Sequence, residues 1–185
     1  MNSSGWMKAL SSRAKRGIWL AASLGMTLLA SMVVVPPRTA AAQAAPPAKL
    51  AKSIERIYGP GVRVDTVHID SAEVYRVSRD HALLGFAQVR NVKGKDQPIT
   101  YLVATDSADA LRDIDILVYR EPHGGEVAYE PWRKQFRGKK TGAPLQVGKD
   151  IRNISGATIS SNSVTRGVRQ ALAELTAWHA EGKLR

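Results

Sequence analysis

Apolar residues first recur at helical spacing at Leu50, Ile54 and Ile57, and Gly59-Pro60-Gly61 breaks the run, which predicts a short helix over about 49–58. From Val62 the period shortens to that of strands: Val62, Val64 and Val67 beside polar neighbours, then Val74 to Val77, then Leu83 to Val92. A turn rich in Lys, Gly and Asp over 91–97 leads to a returning strand at Ile99 to Ala104, and after a polar loop Ile114 to Tyr119 alternates as a further strand. Arg120 to Lys140 mixes Pro, paired Gly and aromatics, so it reads as a loop with one helical turn near Pro131 to Gln135. Val164, Val168, Ala171, Leu172, Leu175 and Trp178 then lie at offsets of 4, 7, 8, 11 and 14, which is one face of a helix. That helix is expected to begin at Ser160 or Ser161, whose hydroxyl would cap its free amides, and to stop at Gly182. The order predicts an α+β fold, a mostly antiparallel sheet with a short N-terminal helix and a long C-terminal helix packed on it.

The amino end has a different character. Residues 1–16 carry four basic side chains, and Gly17 to Val35 is an uncharged, mostly apolar run. Residues 1–44 are therefore read as a signal peptide or membrane anchor. The length of the apolar run suits an anchor, which needs roughly 20 residues. Pro36-Pro37 and the small-x-small pattern Ala42-Gln43-Ala44 suit cleavage, with a mature chain starting near Ala45. Either way the basic amino end stays cytoplasmic and the rest crosses the membrane, so an extracytoplasmic location is expected, soluble in the periplasm or anchored to the inner membrane. The Pro/Ala-rich residues 45–48 form a tether, and 49–185 form the domain.

The formal charge of +11 would ordinarily suggest a nucleic acid, but five of the basic residues precede Pro46, where no acid occurs, and removing them leaves +6. A moderately basic, exported domain argues against nucleic acid as a partner. The chain has no Cys, which excludes disulfides, thiolate metal sites and cysteine nucleophiles, and its four His show no metal-ligand spacing. Redox chemistry here would need a borrowed cofactor.

The run Asn153-Ile154-Ser155-Gly156-Ala157-Thr158-Ile159-Ser160-Ser161 stands immediately before the closing helix. Four hydroxyl side chains and a Gly-Ala pair at a helix amino end suit a phosphate or other anion, because unpaired amides and the helix dipole favour negative charge there. A plain helix cap is the other reading. Arg133, Lys134, Arg137, Lys139 and Lys140 form a basic run, either a solvated face or an attractor for an acidic partner or a reduced cofactor. Tyr129, Trp132 and Phe136 would stack on a ligand or fill the core. Gly138-Lys139-Lys140-Thr141 has the end of a phosphate-binding loop without its upstream Gly, and no base accompanies Ser155 or Thr158 for a hydrolase.

Ser155-Gly156-Ala157-Thr158 resembles the flavinylation motif of the FMN-binding domain family, found in subunits of sodium-pumping NADH:quinone reductase and Rnf complexes and in many exported flavoproteins. In that family the pattern is Asp-x-x-Ser/Thr-Gly-Ala-Thr/Ser, and a flavin transferase joins FMN through its phosphate to the final hydroxyl. The resemblance implies attachment at Thr158, with Ser155, Gly156, Ala157 and Ser160 beside it. Upstream, Tyr119-Arg120-Glu121-Pro122-His123-Gly124 followed by Phe136 and Lys139 is similar to the family's His-x-Glu-Thr-Pro-Gly loop, which adds Glu121 to the expected cofactor contacts. The family's Asp falls on Arg152, with Asp150 two places away, and its His falls on Tyr119. The implied function is an extracytoplasmic, FMN-carrying electron-transfer protein, more a carrier or subunit than a complete enzyme, with a flavin transferase and a membrane or periplasmic redox partner. The alternative is an exported adaptor that keeps the fold without flavin.

Overall fold

Pro47 opens the first helix, α1 (Pro47–Tyr58), where its fixed φ suits a first turn and its missing amide forfeits no hydrogen bond. The structure, a computed structural model, describes residues 47–185. The expected leader, and Ala45 and Pro46 of the expected tether, lie outside the described residues. Pro47 and Ala48, read as tether, are already helical. Ser53, Ile54, Ile57 and Tyr58 form the buried stripe of α1, and Gly59 follows it at φ +89°.

Five strands follow: β1 (Arg63–Ile69), β2 (Ala72–Arg79), β3 (Ala82–Lys93), β4 (Pro98–Thr105) and β5 (Leu111–Val118). Each pairs antiparallel with the next, so the sheet order is the chain order. The α+β expectation holds, with a wholly antiparallel sheet. Alternation along the strands sorts the core into two layers. On β4, Leu102 and Ala104 join Ile54, Ile57 and Tyr58 of α1. Its Ile99, Tyr101 and Val103 join the opposite layer, beneath the long closing helix α3 (Thr158–Ala180). Covered on both sides, β4 is buried from Ile99 to Thr105.

The apolar stripe Val164, Val168, Ala171, Leu172 and Leu175 packs on this second layer as its spacing predicts. A Cβ at Gly167 would strike the Tyr101 hydroxyl and Val92, so the absent side chain is what lets α3 lie against β3 and β4. The helix begins two residues earlier than expected. Ala157 stands at its N-cap and supplies no side-chain hydrogen bond, and Ser160 and Ser161 are buried within its first turns. Neither serine caps the helix, because both are packed inward.

Between β5 and α3 the chain makes a 3-10 turn (Gly125–Ala128), the single-turn helix α2 (Glu130–Arg133) and a second 3-10 turn (Lys134–Phe136). Trp132 and Phe136 meet edge to face at 5.0 Å and are buried, so they fill the core and do not face a ligand site. Three of the five cations of the basic run are engaged within the fold, while Lys134 and Lys140 are exposed. Arg133 is buried, donates to the Ile114 carbonyl at 2.7 Å and lies 3.6 Å from both Asp113 and Asp115. Arg137 pairs with Asp113 and Glu130, and Lys139 with Asp150. The main chain of Gly138 and Lys139 is bonded to Leu111, so this segment extends the β5 edge and forms no phosphate loop.

Candidate functional site

Three separate pieces of chain meet at the amino end of α3. The first is the loop of residues 152–157, anchored through main-chain groups: the Trp132 indole donates to the Arg152 carbonyl at 2.9 Å, and the Arg152 amide donates to Gln135 Oε1 at 2.8 Å. Both bonds use the backbone, so the side chain at 152 is not needed to shape the loop. Gly156 then takes φ +82° with open space where a Cβ would stand, a conformation that favours glycine. This turn delivers Thr158 to the first position of α3.

The second piece is the loop after β5. Tyr119 Oη donates to the His123 carbonyl and shares a hydrogen bond with Ser160 Oγ at 2.9 Å. Burial raises the Tyr119 pKa, so the phenol remains protonated and able to donate. Gly124, at φ +90°, fits beneath this contact. A Cβ there would lie 2.6 Å from the Tyr119 hydroxyl and 3.1 Å from the Ala157 Cβ. Tyr119, Gly124, Ala157 and Ser160 therefore form one interlock between loop and helix.

The third piece is the β3–β4 turn. Glu121 Oε1 accepts the amides of Asp96 and Gln97 at 2.8 and 2.9 Å. These bonds, led by that from Gln97, hold the Glu121 pKa below the ordinary carboxylate value. Glu121 thus pins the turn that carries Lys95.

Together the three pieces enclose an open cleft of about 350 Å³ lined by Lys95, Asp96, Glu121, Pro122, His123 and Gly156 through Ser160. A second hollow, of about 340 Å³, shares Pro122, His123 and Gly156 with the first and is lined further by Gly124, Gly125, Glu126, Tyr129 and Ser155. Of the three exposed large hydrophobic side chains among the described residues, Ile159 lines the cleft and Tyr129 the adjoining hollow. Thr158 is exposed and lines the first cleft, and its Oγ1 accepts a bond from Asn153 Nδ2 at 3.0 Å. With no side-chain cap on α3, the first-turn amides carry about half a positive charge toward this end. The arrangement suits a ligand with an anionic tail at the helix end and an apolar body in the adjoining hollows.

Comparison with known proteins indicates a cofactor. Residues 94–173 match the FMN-binding domain. This segment is similar to that domain, in line with the resemblance of the Ser155–Thr158 run. The match indicates FMN as the cofactor. One component of the proton-translocating ferredoxin:NAD(+) oxidoreductase complex of Clostridium ljungdahlii is similar to the chain, 30% identical over 110 residues. The alignment covers 55% of this chain and 59% of that component, so it spans less than two thirds of the relative's length.

Within the FMN-binding domain the expected site residues are brought together, in distinct positions. Thr158, Gly156, Ala157, Glu121 and Ser160 line the cleft, and Ser155 lines the adjoining hollow. Glu121 and Ser160 act mainly through the chain itself, one on the β3–β4 turn and the other on Tyr119. Arg166 lines a separate hollow beside Arg169, and Arg152 is exposed and not among the cleft-lining residues. The cation that reaches the cleft is Lys95. Asp150 does not substitute for the motif's Asp, because it accepts from Lys139 and from the Leu145 and Gln146 amides. Lys95, His123 and Asn153 are site residues that the sequence pattern did not single out. Lys95 lies more than sixty residues from Thr158, whereas Asn153 and His123 stand inside the two motif runs without having been assigned a role.

Proposed function

We propose that the protein is an extracytoplasmic electron carrier whose FMN is joined through its phosphate to Thr158 Oγ1. The observation that carries this reading is the exposed Thr158 hydroxyl at the uncapped amino end of α3, opening on a cleft with room for a ring. The residues present fit the cofactor. An Ala at the N-cap forgoes about 1 kcal/mol of capping relative to Ser or Asp, and leaves the amides of the first turn for an anion. Lys95 adds a positive charge on the facing wall, while Ile159, Pro122 and Tyr129 offer apolar surface.

FMN supplies the redox chemistry when bound, accepting electrons from one partner and releasing them to another. The chain's own groups hold and orient it. The Tyr119–Ser160 bond and Gly124 keep the loop closed on α3, and Glu121 keeps Lys95 beside the cleft. The similar protein from Clostridium works in a ferredoxin:NAD(+) oxidoreductase complex, which supports a membrane redox partner here. A flavin transferase would install the cofactor, and the basic, apolar residues 1–44 support export or anchoring.

Intact mass of protein co-produced with a flavin transferase tests the reading. One added FMN, with flavin absorbance that survives denaturation and is absent from Thr158→Ala, is the expected result. Colourless protein under the same conditions would favour the flavin-free adaptor, and flavin retained by denatured Thr158→Ala would move the attachment elsewhere.

A further inference from the structure

We propose that Asn153 is a positioning residue for Thr158 as the acceptor of the flavin phosphate. The inference rests on attachment at Thr158 and adds a role that neither the motif nor the family match assigns.

A threonine hydroxyl at the first position of a helix has little to fix it. Within a helix, Thr divides between two rotamers, one of which bonds the carbonyl three or four residues back. For Thr158 those carbonyls lie outside α3, and that of Ile154 already accepts the Ala157 amide at 3.0 Å. Asn153 supplies the missing constraint, donating from Nδ2 to Thr158 Oγ1 at 3.0 Å. A second carboxamide, Asn162 Nδ2, donates to the Thr158 carbonyl at 2.9 Å and steadies the main chain of the same residue. Thr158 is therefore held at both its oxygens, while its hydroxyl donates to no protein acceptor among the described residues. That leaves the proton and one lone pair available to a reacting group.

Asn153 is itself well placed to act as a fixed strut. Its neighbour Arg152 is anchored by the bonds to Trp132 and Gln135. Ile154 packs against the second core layer. The carboxamide thus projects from a short segment tied down on both sides, and the side chain is exposed, so its removal leaves no cavity. The motif position before it carries Arg152 where the family has Asp. The polar contact to the acceptor hydroxyl comes from the next residue.

The step served is a phosphoryl transfer. A bond forms between Thr158 Oγ1 and the phosphorus of a flavin nucleotide activated as a phosphoric anhydride. The anhydride P–O bond breaks, a nucleoside monophosphate leaves, and the hydroxyl proton passes to a base of the transferase or to solvent. No electrons are exchanged. Orienting the acceptor oxygen raises the rate of this step without tightening the encounter with the transferase.

The test measures initial rates of covalent FMN addition by intact mass, with full-length protein, a flavin transferase and a flavin dinucleotide, over a range of acceptor-protein concentrations. For Asn153→Ala, kcat should fall about tenfold with KM within about twofold, while the melting temperature stays that of the wild type. Asn153→Asp, which keeps the shape but cannot donate, should be equally slow. The loss on removing Asn153 should be larger in a Thr158→Ser background, because serine lacks the β-methyl group that limits rotation. Wild-type kcat in Asn153→Ala, full recovery by Asp, or a change confined to KM would overturn the proposal. Failure of the underlying reading looks different: the wild type gains no covalent FMN, or Thr158→Ala gains it as fast as the wild type, and the proposal falls with it.

Discussion

Tyr119 Oη and Ser160 Oγ lie 2.9 Å apart, and this contact ties the loop that leaves β5 to the first turn of α3. The same phenol also holds the His123 carbonyl. One residue therefore sets the spacing between the two walls of the cleft.

Tyr119→Phe should lower stability by about 1 kcal/mol, the ordinary worth of a hydrogen bond, and loosen the 120–125 loop. Hydrogen exchange should show faster exchange at Gly124 and Gly125 with little change in β4. Unchanged exchange at those amides would mean that the loop is held by something other than this phenol.

Gly124→Ala should cost more. The new Cβ meets the Tyr119 hydroxyl at 2.6 Å, and φ +90° is strained for any residue with a side chain. A loss of about 1–3 kcal/mol is expected in denaturant unfolding, together with less FMN retained per mole of protein.

Asp113 contributes to the response to acid. Burial acts to raise its pKa, but hydrogen bonds from Arg56 and Arg137 outweigh it, so the group sits below its ordinary value. A carboxyl depressed in the folded state contributes stability that is fully present above its unfolded pKa and lost as pH falls through the folded one. Stability should therefore hold near neutrality and decline below about pH 4. Asp113→Ala leaves the buried Arg133 with Asp115 as its remaining carboxylate at 3.6 Å and removes the partner of Arg56 and Arg137, so it should destabilise by about 1–3 kcal/mol near neutrality and reduce the acid decline. Urea titrations at several pH values check both statements.

Gly167→Ala should destabilise the domain by about 1–3 kcal/mol, since its Cβ overlaps the Tyr101 hydroxyl and Val92. Tyr101→Phe should recover part of the loss by removing the oxygen, and a double-mutant cycle would reveal the coupling. Strict additivity would show that α3 does not approach the sheet at this point.

Much of the fold was legible because its elements are periodic. The stripe from Val164 to Leu175 and the alternation on β4 each record which neighbour a residue must touch, and burial enforces that record. The start of α3 was less legible. Ser160 and Ser161 carry the chemistry of a cap, yet packing turns both inward and leaves Ala157 at the boundary. The partners of Arg133, Arg137 and Lys139 were not legible either, because Asp113 and Asp115 come from β5 and Asp150 from the loop that follows, while Lys134 and Lys140 stay exposed.

By itself, the sequence determined the helix–meander–helix order, the identity of the motif loop and Thr158 as the candidate attachment point. These depend on local spacing and on residue types within a short run. Only the tertiary structure decided what surrounds that threonine: Lys95 and Asp96 brought by the β3–β4 turn, Tyr119 and Gly124 closing from β5, and Asn153 bonded to its hydroxyl. The cleft is made of groups far apart in the chain, and their meeting follows from the folding of the sheet beneath α3, which no local pattern encodes.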